Sequence, residues 1–158
     1  MSKTGDALEA LYAALVAKAS EPGSPIPQPL QNEALPTRLA TAGDGLEKYL
    51  NIWDSGEDVP EEFLGADTVA EGYDITWAVP IEFVVAGGER SLRRMAFEAG
   101  LDAIWGAIVA DRTLGATVDH AEMLTPKRTG SGLITDGMPN VLAAEITVRL
   151  SFVSSRSF

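Results

Sequence analysis

The sequence predicts an α+β fold, in which two helices pack on a mainly antiparallel sheet of four to five strands. The first observation is a pair of amphipathic segments, residues 4–19 and residues 89–110. The second is an alternating, β-rich run over residues 71–86, with a similar run over residues 144–152. Because the predicted strands follow one another and helices do not alternate strictly with them, a mainly antiparallel sheet fits better than a doubly wound fold.

Each predicted helix has one apolar face. The faces are formed by Leu8, Leu11, Tyr12, Leu15 and Val16 in the first helix and by Phe97, Leu101, Ile104, Trp105 and Ile108 in the second. These side chains recur at the three- and four-residue spacing that brings them to one side of a helix. We expect both faces to pack on a core.

The clearest strand is the run over residues 71–86, whose odd-numbered positions from 73 onward are all apolar or aromatic. Pro80 lies inside this run and cannot donate a hydrogen bond to a neighbouring strand, so it suggests an edge position or a bulge. Shorter strands are predicted over residues 46–54 and 117–125.

Three segments are predicted to lie outside regular structure. Residues 20–36 should form an extended arm, because they carry Pro22, Pro25, Pro27 and Pro29. The acidic segment that ends near Gly65 is interpreted as a loop. Residues 128–140 are turn-rich, with Gly130-Ser131-Gly132 as a hairpin tip.

Length and composition favour a single domain over residues 1–158. The chain is 46% hydrophobic, which is enough to build one core, and nothing repeats at a fixed period. It contains no cysteine, which excludes disulfides, thiolate metal sites and a cysteine nucleophile. The first residues do not resemble a signal peptide and no apolar stretch is long enough to span a membrane, so we expect the protein to be made and kept in the cytoplasm.

Charge is unevenly distributed along the chain. The formal net charge is −11, which disfavours binding to nucleic acid or to anionic lipid. No basic residue lies between Lys48 and Arg90, whereas acidic residues are frequent there. This stretch predicts a strongly negative surface, which is either a solvated acidic loop or one side of an assembly contact.

Three arginines crowd the first turn of the second helix, where the helix dipole disfavours cations. These are Arg90, Arg93 and Arg94. Two interpretations are open: local pairing with Glu89 and Glu98, or contact with the acidic segment of a neighbouring subunit.

No residue pattern predicts catalysis, a cofactor or a metal ion. His120 is the single histidine, and Asp119 should face the opposite side of a strand, so no histidine–carboxylate pair is encoded locally. Nucleophile-elbow, phosphate-loop and dinucleotide motifs are missing, and the carboxylates near Asp54 do not have calcium-loop spacing. The three tryptophans lie on periodic faces and are interpreted as core or interface residues.

Four segments of the sequence form a recognisable pattern: the opening helix with Ala7-Leu8 and Tyr12, the stretch Tyr49-Leu50-Asn51-Ile52-Trp53-Asp54-Ser55-Gly56, the strand from Tyr73-Asp74 to Glu82-Phe83, and Ala110-Asp111-Arg112-Thr113-Leu114-Gly115. Together they resemble the tail terminator family of long-tailed bacteriophages and prophages. The last is the most distinctive of the four, and no clear counterpart is recognised for the Pro-rich arm.

This resemblance implies a non-catalytic virion protein that forms a hexameric ring on the last ring of the tail tube. Such a ring ends tube polymerisation and presents its other face to head-completion or connector proteins. It would lie at the head-proximal end of the tail of a phage or phage-derived particle, and DNA would pass its channel without specific binding. Some acidic side chains are expected to line that channel, because an anionic wall repels phosphates.

Subunit contacts in such a ring join two different patches. The predicted basic patch and its companions are Arg90, Arg93, Arg94, Asp111 and Arg112, and the predicted acidic counterpart is Glu57, Asp58, Glu61 and Glu62.

Three alternatives remain open at the level of the sequence. The chain could be another head–tail connector or tail-tube ring protein, because such proteins share its size and acidity. It could be a small acyl-transfer enzyme, although no nucleophile and base are evident. It could also be a small-molecule binding module, with an apolar pocket between the helix at residues 89–110 and the sheet.

Overall fold

A computed structural model describes residues 3–33, 45–54, 58–64, 70–129 and 140–154 of the protein. The elements are α1 (Lys3–Ala19), β1 (Leu30–Gln31), β2 (Leu46–Ile52), β3 (Asp58–Leu64), β4 (Ala70–Gly87), α2 (Arg90–Ala110), β5 (His120–Met123), β6 (Lys127–Thr129) and β7 (Val141–Ser154). The α+β class with two helices is therefore confirmed. The helices pack on a mixed sheet in which all pairings between described strands are antiparallel except that of β1 with β2.

The sheet contains more strands than the four to five predicted, because β1, β3 and β6 were not anticipated. Its main path runs in the order β1-β2-β4-β7-β5. β3 joins β4 on the same side as β2 but further toward the start of β4, and β6 joins β7 on the same side as β5. The sheet consequently has β1, β2 and β3 toward one edge and β5 and β6 along the other.

One face of the sheet carries the core, as the alternation in β4 predicted. Its odd-numbered residues from Ile75 to Val85 are buried together with the inward faces of both helices. At the centre the ring of Phe83 stacks on that of Phe97, with 5.9 Å between ring centroids. The assignment of Trp105 to the packing face is wrong, because this side chain is 53% exposed whereas Ile104 and Ile108 are fully buried.

Pro80 lies in a central strand whose pairing with β7 shows no register shift, so both predicted alternatives, an edge position and a bulge, are wrong. β4 pairs with β7 along nearly its whole length, including Pro80 opposite Thr147. On the other side of β4, the pairing with β3 ends at Trp77 and the pairing with β2 begins at Ile81. Pro80 falls in the gap, where its carbonyl accepts a hydrogen bond from the Trp53 amide at 3.0 Å. A residue without an amide donor is tolerated there because neither neighbouring ladder requires one.

The acidic segment is also not entirely a loop. Asp58–Leu64 forms β3, which pairs antiparallel with residues 70–77 of β4. The composition of β3 does not predict a strand, because acidic residues and Pro60 are unfavourable in strands. The strand forms because it pairs with the long strand β4. Glu57 lies outside the described residues, as does the predicted hairpin tip at residues 130–132.

The Pro-rich segment is held against the sheet over residues 20–33, and its remaining residues, 34–36, lie outside the described part of the chain. Ile26 is buried in the core, and Leu30–Gln31 adds to β2 as a short parallel strand. The Asn51 carboxamide, which is fully buried, then bonds the backbone of Glu33 in both directions, at 3.2 Å from the Glu33 amide and 2.9 Å to its carbonyl. Asn51 therefore fixes the end of the arm.

Neither helix of the described chain has the length and hydropathy that a bilayer span requires.

Candidate functional site

A strongly charged cavity lies where α2 begins, beside β6 and the first residues of β7. We call it the arginine pocket. Its volume is ≈620 Å³, and it is lined by Arg90, Arg93, Arg94, Phe97, Glu98, Arg128, Asn140, Val141, Leu142 and Ala143. Four guanidinium groups and one carboxylate surround an apolar floor, in a protein whose net charge is −11. The sequence identified three of these arginines.

Arg93 holds the turn that connects β4 to α2. Its Nη1 atom donates to the carbonyl oxygens of Gly87 and Gly88, at 2.9 Å each, and the side chain is buried. Both glycines have positive φ, so the chain reverses here in a conformation that favours glycine. Arg93, predicted as an interface residue, is thus engaged inside its own subunit, where it closes the back of the pocket.

Arg128 also belongs to the pocket, although no pattern in the sequence indicated it. Its guanidinium binds the Glu98 carboxylate through two parallel contacts, Nη1 to Oε1 and Nη2 to Oε2, the latter at 3.1 Å. It also lies 5.8 Å from the centroid of the Phe97 ring. The hydrogen bond from Arg128 lowers the pKa of Glu98, and Glu98 in turn raises the pKa of Arg128. This pair fixes one wall of the pocket in the charged state.

Arg90 and Arg94 form the open side of the pocket. Both are exposed, and within the described part of the chain neither makes an ion pair. Of the two local partners, Glu89 accepts a hydrogen bond from the Ser91 hydroxyl, and Glu98 binds Arg128 directly. The charge of Arg94 acts on Glu98 only as a smaller contribution to its lowered pKa. No acidic residue lies in the first turn of α2. Two exposed cations therefore add to the positive end of the helix dipole, and a bound anion would be stabilised there.

Asp111 and Arg112 do not join this pocket, because they lie just beyond the other end of α2, which is 21 residues long. The Asp111 carboxylate accepts from the hydroxyl and amide of Thr113 and from the amide of Gly115, at 2.6, 3.0 and 2.7 Å. These bonds, led by that from the Thr113 hydroxyl, lower the pKa of Asp111. Arg112 donates to the Ala121 carbonyl at 3.2 Å.

The turn that these two residues close is unusual, since Leu114, Gly115 and Ala116 all have positive φ. Leu114 is nevertheless buried in the core. Hydrogen bonds to Asp111 thus hold two non-glycine residues in a conformation that they rarely adopt. The most distinctive segment of the resemblance therefore has a structural task within the subunit.

The predicted acidic counterpart lies at the diagonally opposite corner of the sheet. Asp58, Glu61 and Glu62 are part of β3, where Glu61 stands opposite Asp74 of β4. Asp74 marks the acidic end of β4, and Gly87 marks the end beside the arginine pocket. These two residues are 13 positions apart in one strand, or roughly 43 Å at the usual rise per residue. β3 also lies on the side of β4 away from β7 and β6. The two charged regions therefore cannot reach each other within one subunit.

Other surface features offer less chemistry. Alanines of α1 and α2 line an open groove of ≈480 Å³ between the helices. The space between α2 and the sheet, where a ligand pocket was considered, is filled by Phe83, Phe97 and Ile104. His120 is exposed at the start of β5. Among the described residues, no group of three or more His, Cys, Asp or Glu side chains is placed to hold a metal ion.

Comparison with known proteins gives no independent assignment: no protein-family model matches this chain, and no curated protein matches it significantly.

Proposed function

We propose that the protein is a structural subunit of a phage or phage-derived particle, which assembles as a hexameric ring and caps the tail tube. In this role it ends polymerisation of the tube protein and joins the tail to a head-completion or connector protein. The proposal rests on the resemblance of four sequence segments and on one structural observation, the separation of opposite charges on the subunit.

That observation is the placement of the arginine pocket and the acidic strand β3 at opposite ends and on opposite sides of β4. Two complementary patches that cannot meet within a subunit favour a head-to-tail contact between subunits. A head-to-tail contact generates a closed ring when its rotation closes. A closed ring has two chemically different faces, which is what a component between a tube and a connector requires.

The net charge also suits a ring that DNA traverses. With 23 acidic and 12 basic residues, the subunit repels phosphate overall, and the cations of the arginine pocket would be covered by the neighbouring subunit. The channel wall proposed here is therefore acidic, and DNA would slide through without binding to it.

The experiment that tests this function is cryo-electron microscopy of intact particles, with the protein located by an engineered tag. We expect a six-fold ring between the tube and the connector. As a second readout, purified protein added to polymerising tube protein should stop growth and leave capped tubes of limited length. Absence of the protein from particles, together with unrestricted tube growth, would refute the proposal.

A further inference from the structure

Two outer strands on opposite edges of the sheet carry opposite charges: β6 is basic and β3 is acidic. β6 contributes Lys127 and Arg128 beside the arginine pocket, and both side chains are exposed. On the other side of the sheet, β3 contributes Asp58, Glu61 and Glu62. Pairings within the described chain leave one side of β3 and one side of β6 without a neighbouring strand.

We infer that these sides recognise each other between copies of this chain: β3 of one subunit docks against β6 and the arginine pocket of the next. The occupant of the arginine pocket is thus a second copy of the protein. This inference rests on the proposed function for the number of subunits in the ring, but the contact itself is defined by the charges of the two strands.

Charge complementarity carries the choice of occupant. Arg90 and Arg94 are exposed cations of the arginine pocket, and neither has an ion-pair partner within the described residues. Lys127 adds an exposed cation on β6, the strand that also carries Arg128. β3 is a described strand of the same chain whose sequence places three acidic residues, Asp58, Glu61 and Glu62, on an extended backbone. An extended acidic segment lying across several guanidinium groups is a common mode of charge-assisted recognition.

Backbone pairing alone does not explain the contact. Pro60 in the middle of β3 cannot donate a hydrogen bond, and β6 has only three residues. Such strands are poor templates for unlimited sheet extension. The contact therefore depends on side-chain charges, which gives it a direction and makes it sensitive to salt.

Crosslinking tests this inference cleanly, because the chain contains no cysteine. We would prepare the full-length variants Lys127→Cys/Glu61→Cys and Lys127→Cys/Glu62→Cys, since neighbouring residues of a strand face opposite ways. A short bismaleimide applied to concentrated protein should convert at least one of them into a ladder beyond dimer. Each single-cysteine variant can give at most a dimer. Lys127→Cys/Glu21→Cys is the matched control, because Glu21 is an exposed acidic residue outside β3.

Charge reversal then identifies the contact. In the background that forms the ladder, Arg90→Glu/Arg94→Glu should reduce its yield about fivefold, the effect of losing two exposed ion pairs of ordinary strength. Adding Asp58→Lys, together with Lys at whichever of Glu61 and Glu62 is not the cysteine, should restore it. A ladder that ignores both changes, or no ladder in either register while circular dichroism shows a folded protein, overturns the inference.

The same variants separate this inference from the proposed function and from a nucleic-acid site. A charge-dependent ladder from a protein that is missing from particles would support the contact and refute the tail cap. A six-fold ring in particles without the crosslink would do the reverse. Tight binding of double-stranded DNA that is lost in Arg90→Glu/Arg94→Glu would assign the pocket to phosphates and overturn the inference.

Discussion

Gly100 packs so closely on the Phe83 ring that an added methyl group would overlap it. A Cβ atom built there would overlap Cζ and Cε1 of the Phe83 ring and lie 3.2 Å from Cε2. Contacts between carbon atoms are optimal at about 3.5–4.0 Å, so the ring would have to move. Phe83 is fully buried, and its ring stacks on that of Phe97. We therefore expect Gly100→Ala to destabilise the protein.

The magnitude follows from two opposing effects. Replacing glycine by alanine inside a helix stabilises it by about 1 kcal/mol. Forcing an additional methyl group into a packed core costs about 1–3 kcal/mol, and the overlap with Phe83 places this site toward the upper part of that range. The net loss should be about 1–2 kcal/mol.

Gly106 provides the matched control, because it lies in the same helix and an added Cβ there meets no atom within 4 Å. Gly106→Ala should therefore stabilise the protein by roughly 0.5–1 kcal/mol. Urea denaturation followed by circular dichroism would give both free energies, at a protein concentration where the oligomeric state of the variants is the same. If Gly100→Ala is as stable as Gly106→Ala, the close packing of Gly100 on Phe83 is wrong.

A second variant confirms the cause of the effect. Phe83→Leu removes the ring against which the new methyl group presses, although it costs stability by leaving a cavity. In a double-mutant cycle, Gly100→Ala should cost less in the Phe83→Leu background than in the wild type. Additive effects would place the strain elsewhere.

Three further predictions concern the arm, the pocket and the turn after α2. Asn51→Ala should cost about 1–3 kcal/mol, because it removes the partner of the Glu33 amide and leaves the Glu33 carbonyl with the Tyr49 hydroxyl alone, and it should increase proteolysis of the arm. Nuclear magnetic resonance should show that the pKa of Glu98 is below its ordinary value and that Arg128→Gln moves this pKa back toward the ordinary value. In the wild type, the Glu98–Arg128 pair is present above the lowered pKa of Glu98 and is lost as pH falls through that pKa. Asp111→Asn should lower the urea midpoint near neutral pH, with a difference that disappears as pH falls through the depressed pKa of Asp111; an unchanged midpoint would show that the turn does not depend on this carboxylate.

The elements that the sequence predicted correctly are those whose own pattern is sufficient. The alternation in β4 and β7 and the spacing in both helices depend only on local periodicity. β3 and β6 were missed because acidic residues dominate one and the other has three residues, so both depend on a long neighbouring strand. Trp105 was placed on the buried face, but it follows Ile104 by one residue and so lies about 100° around the helix from it. Periodicity alone does not mark where the buried face ends.

The candidate site was predictable in part for the same reason. Arg90, Arg93 and Arg94 are close in sequence, and their position in the first turn of a helix signals an unusual concentration of charge. Arg128 reaches the pocket only because β6 pairs with β7, and its partner Glu98 is 30 residues away along the chain. Nor could spacing show that Arg93 turns inward to the carbonyls of Gly87 and Gly88.

The arrangement of charge along the sheet also opposes aggregation, which threatens any assembly that has strands with an unpaired side. A strand with one unpaired side can pair with any other such strand, which leads to aggregation. Among the described strands, β3 and β6 each pair on one side only; β3 contains Pro60 and acidic residues, while β6 is short and basic. Two copies of β3 repel each other, as do two copies of β6, and only the unlike pair attracts. Copies that bind by these strands must therefore follow one another in a single direction, and the angle between successive subunits alone decides whether they close into a ring.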